Sequence, residues 1–188
     1  MKKKHKTSKS LYQLKVTLIG SKPPIWRRLI VKDTIRLDQL HTVLQVAMGW
    51  DDYHLHQYRS GGSFIGIPDP EFDMDVTDER EVYLQDVIFN PKDNFVYEYD
   101  FGDGWEHKIV LETILPSDFS ESPLVIKGKR ACPPEDCGGI WGYADFLDAI
   151  HDPKHEEHDS MLEWVGGEFD PEDFDMDLIN NNLKGLKL

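Results

Sequence analysis

The stretch that most constrains the fold is residues 97–107, which read YEYDFGDGWEH. Aromatic residues alternate with acids up to Asp103-Gly104, and a period of two is typical of a β-strand. An Asp-Gly pair favours the positive φ angles of a tight hairpin turn. The pattern therefore predicts a β-hairpin with strands at 95–101 and 105–115. The acids and the imidazole of His107 near its tip make the hairpin a candidate site.

The first half of the chain predicts further strands and one helix. Apolar residues recur at helical spacing from Leu37 to Met48, with Thr34 as the N-cap and Gly49 as the stop. Residues 61–78 are rich in Gly, Pro and acids, which favours a long loop. Other runs predict strands at 12–19, 25–31 and 54–58, and a short apolar element at 82–88.

The last third of the chain predicts helices. An amphipathic segment at 143–150 ends before Asp152-Pro153, and a second at 160–165 ends at Gly166. Asp170-Pro171 is expected to start a third, with Asp as cap and Pro at the first helical position. Strands first and helices later indicate an α+β fold, an antiparallel sheet flanked by helices with a helical C-terminal third.

Charge is spread unevenly over the 188 residues, whose formal net charge is −14. Residues 1–36 hold eleven Lys or Arg and one acidic residue. Residues 37–129 hold six basic and nineteen acidic residues, and residues 130–188 hold four basic and fifteen acidic residues. This predicts a disordered basic tail at 1–10 and a single domain at 11–188. Within that domain we expect a linker at 116–123 and a helical part at 124–188. An acidic body repels phosphates, which argues against direct DNA binding except through the tail.

The sequence also bears on the compartment. The basic amino terminus lacks the apolar core of a signal peptide, and no stretch reaches the apolar length of a membrane helix. The two cysteines make no disulfide framework. We therefore expect a cytoplasmic protein without a membrane partner.

Four residues form the first candidate metal site. Residues two apart on a strand face the same way, so His54 and His56 are expected to project together, near Asp103 in the turn and His107 on the second hairpin arm. Three imidazoles and a carboxylate suit a divalent metal such as zinc, or an acid/base pocket. They could equally be structural histidines that pin the turn. His41 could join the set or bond to the sheet.

A second-choice metal site is the pair Cys132 and Cys137 in the segment CPPEDCGG, 132–139. Three histidines downstream could complete a Cys2His2 set, although Pro153 breaks the helix that would align them. Because no second Cys pair is present, a rigid structural loop is the preferred interpretation. The three downstream residues are His151, His155 and His158.

Several long motifs resemble those of the Ri-plasmid Orf-three-like family, over about residues 12–183. The resemblance implies an antiparallel sheet flanked by helices and carries no established catalytic residues. Some members bear the label resolvase-like, but this sequence lacks an activated Ser beside an arginine cluster. The matching motifs are PIWRR at 24–28, LH at 40–41, MGW at 48–50, HLHQ at 54–57, YDFGDGW at 99–105 with His107, residues 132–139, GY at 142–143 and FDPEDF at 169–174.

Three hypotheses of function follow. The first is a non-enzymatic accessory or binding domain, whose aromatic pocket takes a small ligand or a partner segment. The second is a metal-dependent hydrolase that uses the His/Asp cluster. The third is a mobile-element protein that contacts DNA through its basic tail. The pocket of the first hypothesis would be lined by the histidines together with Trp26, Trp50, Tyr99 and Trp105.

Overall fold

The computed structural model describes residues 10–69, 75–116 and 123–188. Within these ranges the fold is α+β, as the sequence predicted, with one mostly antiparallel sheet and a helical C-terminal region. The strands are β1 (Ser10–Leu18), β2 (Trp26–Lys32), β3 (His56–Ser60), β4 (Ser63–Gly66), β5 (Val76–Asp78), β6 (Asn94–Tyr99), β7 (Trp105–Pro116) and β8 (Leu124–Lys129). The helices are α1 (Leu37–Met48), α2 (Leu84–Val87), α3 (Gly139–His151), α4 (His158–Val165) and α5 (Met176–Lys184).

The strand order in the sheet is β5-β4-β3-β6-β7-β1-β2-β8. Neighbouring strands are antiparallel, except for the parallel pair β4 and β5. The hairpin predicted from the Asp-Gly turn is confirmed, since β6 and β7 pair with Tyr99 opposite Trp105. The strands predicted at 12–19 and 25–31 are present as β1 and β2, which pair as a second antiparallel hairpin.

Helix α1 covers the sheet with a fully buried stripe that includes Leu37, Leu40 and Leu44. It ends at Gly49 as predicted, in the left-handed conformation (φ 89°) that glycine adopts without a steric penalty. The N-cap is Arg36, so the prediction of Thr34 was wrong. Arg36 lies in an isolated bridge to the 82–84 segment, and its main-chain N–H donates to the side chain of Gln39 at 3.2 Å.

Two further predictions of secondary structure were wrong. The 61–78 segment contains strands β4 and β5 in its described part, where a loop alone was predicted, because β4 pairs with β3 and β5 pairs with β4. Residues 70–74 lie outside the described ranges. No helix starts at Pro171: the segment forms a single turn, in which the Asp170 carboxylate accepts from the Glu172 N–H at 2.8 Å and its carbonyl accepts from the Asp173 N–H at 3.1 Å. The last helix begins after Asp175, whose carboxylate accepts from the Leu178 N–H at 2.9 Å.

Some sequence predictions concern residues outside the described ranges. Residues 1–9 of the predicted basic tail and 117–122 of the predicted linker are among them. The predicted DNA contact by the tail therefore lies outside the described residues. Ser10 and Pro116 belong to β1 and β7. The prediction of a C-terminal part beginning at 124 includes β8 in addition to three helices. No helix within the described ranges has the length and apolar character needed to cross a membrane.

Candidate functional site

The tip of the β6–β7 hairpin is bound to the 132–139 loop. The Asp103 carboxylate accepts a hydrogen bond from the Gly138 N–H at 3.0 Å. A Cβ atom on Gly139 would lie 2.4 Å from the Asp103 carbonyl oxygen, and Gly139 has φ +70°. Only glycine permits this approach at this angle. The two longest motifs of the sequence are therefore held side by side in space.

The same loop is anchored to the connection between α1 and β3. The Trp50 indole N–H donates to the Pro133 carbonyl at 3.0 Å. The Glu135 carboxylate accepts from the Asp51 N–H at 2.9 Å and from the Tyr99 hydroxyl at 3.1 Å. Burial, and then the nearby charge of Glu135, raise the pKa of Tyr99, so its hydroxyl stays protonated and can donate. These bonds place the acids of the loop over the hairpin tip.

The anchored loop brings three potential metal ligands together. The His54 Nε2 atom lies 3.1 Å from an Asp136 carboxylate oxygen and 3.7 Å from one of Asp100. One ligand atom from each residue lies within 4.8 Å of the other two. A second loop carboxylate, Glu135, has an oxygen 3.9 Å from His54 Nε2. Asp136 is exposed to solvent, His54 is partly buried and Asp100 is buried. Neighbouring ligands on one metal ion lie roughly 3 Å apart or more, so this set is close to binding geometry.

The backbone orients Asp100 toward His54. Asp100 has φ 57°, a left-handed conformation that Asp adopts more readily than most residues. One carboxylate oxygen accepts from the Gly102 N–H at 2.9 Å, and the other is the one that faces His54. The His54 Nε2 atom is buried and makes no hydrogen bond of normal geometry within the described residues, despite its short distance to Asp136. A bound cation would satisfy this nitrogen and the surrounding oxygens together.

The structure does not bring the four predicted metal ligands His54, His56, Asp103 and His107 together. His54 precedes β3 rather than lying on it, so the prediction that it shares a strand face with His56 was wrong. His56 instead forms a hydrogen bond with Glu79 at 2.8 Å. Asp103 binds Gly138, and His107 is fully buried in the core. Of the four, His54 alone belongs to the cluster with Asp100 and Asp136.

His41 forms hydrogen bonds with the sheet and does not join the metal cluster, which is the structural alternative of its two predicted roles. Its ring nitrogens form hydrogen bonds with the Tyr97 hydroxyl of β6 and with Asp52, both at 2.8 Å. The ring stacks on that of His56, with centroids 3.5 Å apart. Burial, and then the neighbouring His56, lower the pKa of His41. The two histidines thus connect the sheet to α1 and to the segment that carries Glu79.

The four predicted pocket aromatics occupy both faces of the sheet. Trp50 packs on Tyr99 and Trp105 with ring centroids 5.0 and 6.0 Å apart, and all three rings are buried in the core. Trp26 lies on the opposite face, where the side chains of Lys15 and Arg28 cover its ring. Three of these residues therefore form the packed layer beneath the His54 cluster.

The second-choice metal pair consists of two free thiols. Burial raises the pKa of Cys132 to about 11 and, together with the charge of Asp103, that of Cys137 to about 12. Both therefore stay protonated near neutral pH, whereas a metal binds the thiolate. His151 and His158 form hydrogen bonds with main-chain carbonyls of α3. In the part of the chain that the structure describes, the three-ligand cluster contains none of these residues.

His107 gives a testable pH dependence. It is fully buried, and neither ring nitrogen has a hydrogen-bond partner of normal geometry among the described residues. Desolvation, aided by the charge of Arg27 and opposed by main-chain groups of Tyr97 and Trp105, lowers its pKa from 6.5 to about 4. The folded state therefore binds fewer protons than the unfolded state, so stability should fall as the pH drops from about 6.5 to about 4.

Between pH 7 and pH 5 the free energy of unfolding of the original protein should fall. We expect this fall to be smaller by about 2 kcal/mol in the His107→Leu variant. Leu has a similar volume and leaves no unpaired polar atom, so the variant should match or exceed the stability of the original protein at pH 7. Urea unfolding of both proteins at the two pH values measures this difference. An identical pH dependence in the variant would show that His107 is not the titrating group.

Comparison with known proteins identifies the family of this chain. Residues 10–178 match the model of the plasmid pRiA4b ORF-3-like protein family. The chain belongs to this family. It is 45% identical over 158 residues to the uncharacterised protein y4hQ of Sinorhizobium fredii (strain NBRC 101917 / NGR234), which covers 84% of this chain and 81% of that protein.

A solved structure shares the fold of this pRiA4b ORF-3-like chain. It is the crystal structure of a protein of unknown function, MM3350, from Methanosarcina mazei Go1. The two superpose with a TM-score of 0.83 at 37% identity, over 92% of this chain and 97% of the other. The resemblance found in the sequence is therefore confirmed. These two relatives are described as uncharacterised and of unknown function.

Sequence reasoning missed Asp100, Glu135 and Asp136 as members of the site. All three lie in the motifs at 99–105 and 132–139, and each motif carries acids beside Gly or Cys. The sequence feature that could have indicated these residues is the presence of acids in two long motifs that belong to one family. Their spacing in sequence cannot show that they meet, because the contact depends on the bond between Asp103 and Gly138.

Proposed function

We propose that this protein is a metal-dependent hydrolase that binds one divalent cation through His54, Asp100 and Asp136. The observation that carries the proposal is the convergence of their ligand atoms at the hairpin tip. Two carboxylates neutralise a divalent cation, and one imidazole with two carboxylate oxygens suits zinc or manganese. Three protein ligands leave positions for water and substrate on the exposed side, where Asp136 faces solvent.

The electrostatics of the site support a cation. Asp100, Glu135 and Asp136 lie around one imidazole, and within the described ranges no Lys or Arg forms an ion pair with them. Carboxylates in a shared environment repel one another unless a positive charge lies between them. A divalent ion would remove that repulsion and give the unpaired His54 nitrogen a partner.

The same geometry supplies a base. Glu135 is held by the Asp51 N–H and by the Tyr99 hydroxyl, which lies 3.1 and 3.3 Å from its two carboxylate oxygens. The second of these oxygens lies 3.9 Å from His54 Nε2. A metal lowers the pKa of a bound water. With a cation held by His54, Asp100 and Asp136, Glu135 would serve as the base for a water that adds to an electrophilic carbon. It would return the proton to the leaving group as the bond between that carbon and the leaving group breaks.

Metal titration of chelator-treated protein tests the proposal. We expect Zn²⁺ or Mn²⁺ to bind at one ion per chain, and His54→Ala or Asp136→Asn to weaken the binding at least tenfold. His151→Ala is the matched control, because His151 is exposed and, among the described residues, forms a hydrogen bond with the Leu147 carbonyl of its own helix. Calorimetry measures the affinities, and thermal melting verifies the fold. Equal affinity in the original protein and in His54→Ala would overturn the proposal.

A non-catalytic binding function is the second candidate. It is supported by a cleft that begins at Asp136 and whose walls include residues of α3 and α4. The variant Glu135→Gln separates the two functions, because it removes the proposed base and keeps the three metal ligands. If the protein is a hydrolase, Glu135→Gln should abolish substrate hydrolysis and leave the metal affinity unchanged. If it is a binding domain, neither the original protein nor the variant should hydrolyse a substrate.

A further inference from the structure

A cleft of about 340 Å³ lies beside the proposed metal site and shares Asp136 with it. Its apolar walls are Phe146 of α3 with Met161 and Trp164 of α4. The Trp164 ring meets that of Phe146 nearly edge-on, with centroids 5.7 Å apart, and it is half exposed to solvent. Small-molecule sites in proteins are typically clefts of about 300–1,000 Å³ lined by aromatic and apolar side chains with a few polar groups, and this cleft lies at the lower end of that range.

The charged groups of the cleft have one sign. Asp136, Asp145 and Glu157 line it, and no Lys, Arg or His is among its lining residues. Asp145 and Glu157 form no ion pair with any residue in the ranges 10–69, 75–116 and 123–188. Their negative charge, near aromatic rings whose faces attract cations, is complementary to a positively charged ligand.

We infer that this cleft binds an organic cation, a primary ammonium or guanidinium group carried on an apolar body. The apolar body packs on Phe146, Met161 and Trp164, and the cationic group lies between the carboxylates. Because Asp136 belongs to both the cleft and the metal site, such an organic cation would be the substrate class of the proposed hydrolase. This assignment rests on the proposed function. The binding of the cation itself requires no metal.

Binding of small amines to the chelator-treated full chain tests the inference. The probe is 4-phenylbutylamine, compared with 5-phenylpentanoate, which carries the opposite charge on a similar body. We expect calorimetry to show saturable binding of the amine at one site, at least tenfold tighter than that of the acid. The double variant Asp145→Asn, Glu157→Gln should weaken amine binding at least tenfold, and Trp164→Ala should weaken it as well.

The control removes the same number of charges from α3 and α4 outside the cleft, whereas the tested pair comprises Asp145 of α3 and Glu157, the N-cap of α4. Asp148→Asn with Glu163→Gln removes one charge from α3 and one from α4, and neither residue lines the cleft. Amine affinity should stay within twofold in this variant. Equal weakening in both double variants, equal affinity for the acid, or no amine binding would overturn the inference. Metal titration of the same proteins separates this outcome from failure of the metal site, because Asp145 and Glu157 lie outside the ligand cluster.

Discussion

Arg27→Met should lower the free energy of unfolding by about 3 kcal/mol or more, because Arg27 is a buried cation held by carbonyls. Its guanidinium donates to the Ala47 carbonyl at 2.9 Å and to the Lys129 carbonyl at 3.0 Å. It also stacks on Phe174, with 4.7 Å from the guanidinium carbon to the ring centroid. The substitution leaves these carbonyls without a donor and separates α1 from β2 and β8.

Arg28→Met is the matched control for this change. Arg28 is the next residue of β2, but it lies on the opposite face and pairs with Glu112, with about a quarter of each side chain exposed. Partly exposed ion pairs contribute at most about 1 kcal/mol, so this variant should unfold near the original urea midpoint. Equal destabilisation by the two variants would contradict the role assigned to Arg27.

Gly142→Ala should destabilise the protein by about 3 kcal/mol and should also weaken metal binding. Gly142 lies in the first turn of α3, where a Cβ atom would sit 2.0 Å from the Cys137 carbonyl oxygen. That oxygen belongs to main chain, so the helix and the 132–139 loop must move apart. Because Asp136 precedes Cys137, the shift displaces a proposed metal ligand.

Gly185→Ala is the matched control for the glycine change. Its added Cβ would meet the Asn182 carbonyl oxygen at 3.3 Å, and Gly185 has φ −79°, which any residue adopts. We expect less than about 1 kcal/mol of destabilisation and no change in metal affinity. Urea unfolding and metal titration of both variants measure the two effects. A Gly142→Ala protein with the original stability would show that α3 does not require this close approach.

The sequence predicted those elements whose signals are local. The hairpin of β6 and β7 follows from alternation on both sides of an Asp-Gly turn, and α1 follows from apolar spacing that ends at Gly49. These signals depend on neighbours within a few residues. The α+β class and the family therefore followed from the sequence, and both are confirmed.

The parts that sequence could not predict depend on contacts between distant segments. Asp136 reaches His54 because the loop binds Asp103 and Tyr99, which are separated from it by more than thirty residues. The burial of Arg27 depends on hydrogen bonds to carbonyls of α1 and β8, which lie far from it in sequence. His54 was assigned to a strand that begins two residues later. In each case tertiary packing overrides the local pattern.

A crystal of the protein soaked in Mn²⁺ or Zn²⁺, measured at the absorption edge of the metal, tests the central claim most directly. We predict one anomalous peak between His54 Nε2 and the carboxylate oxygens of Asp100 and Asp136, at about 2.0–2.2 Å from each. The peak should be absent from crystals of the His54→Ala variant. An empty cluster in a crystal that binds the metal elsewhere would contradict the metal site and the hydrolase proposed from it.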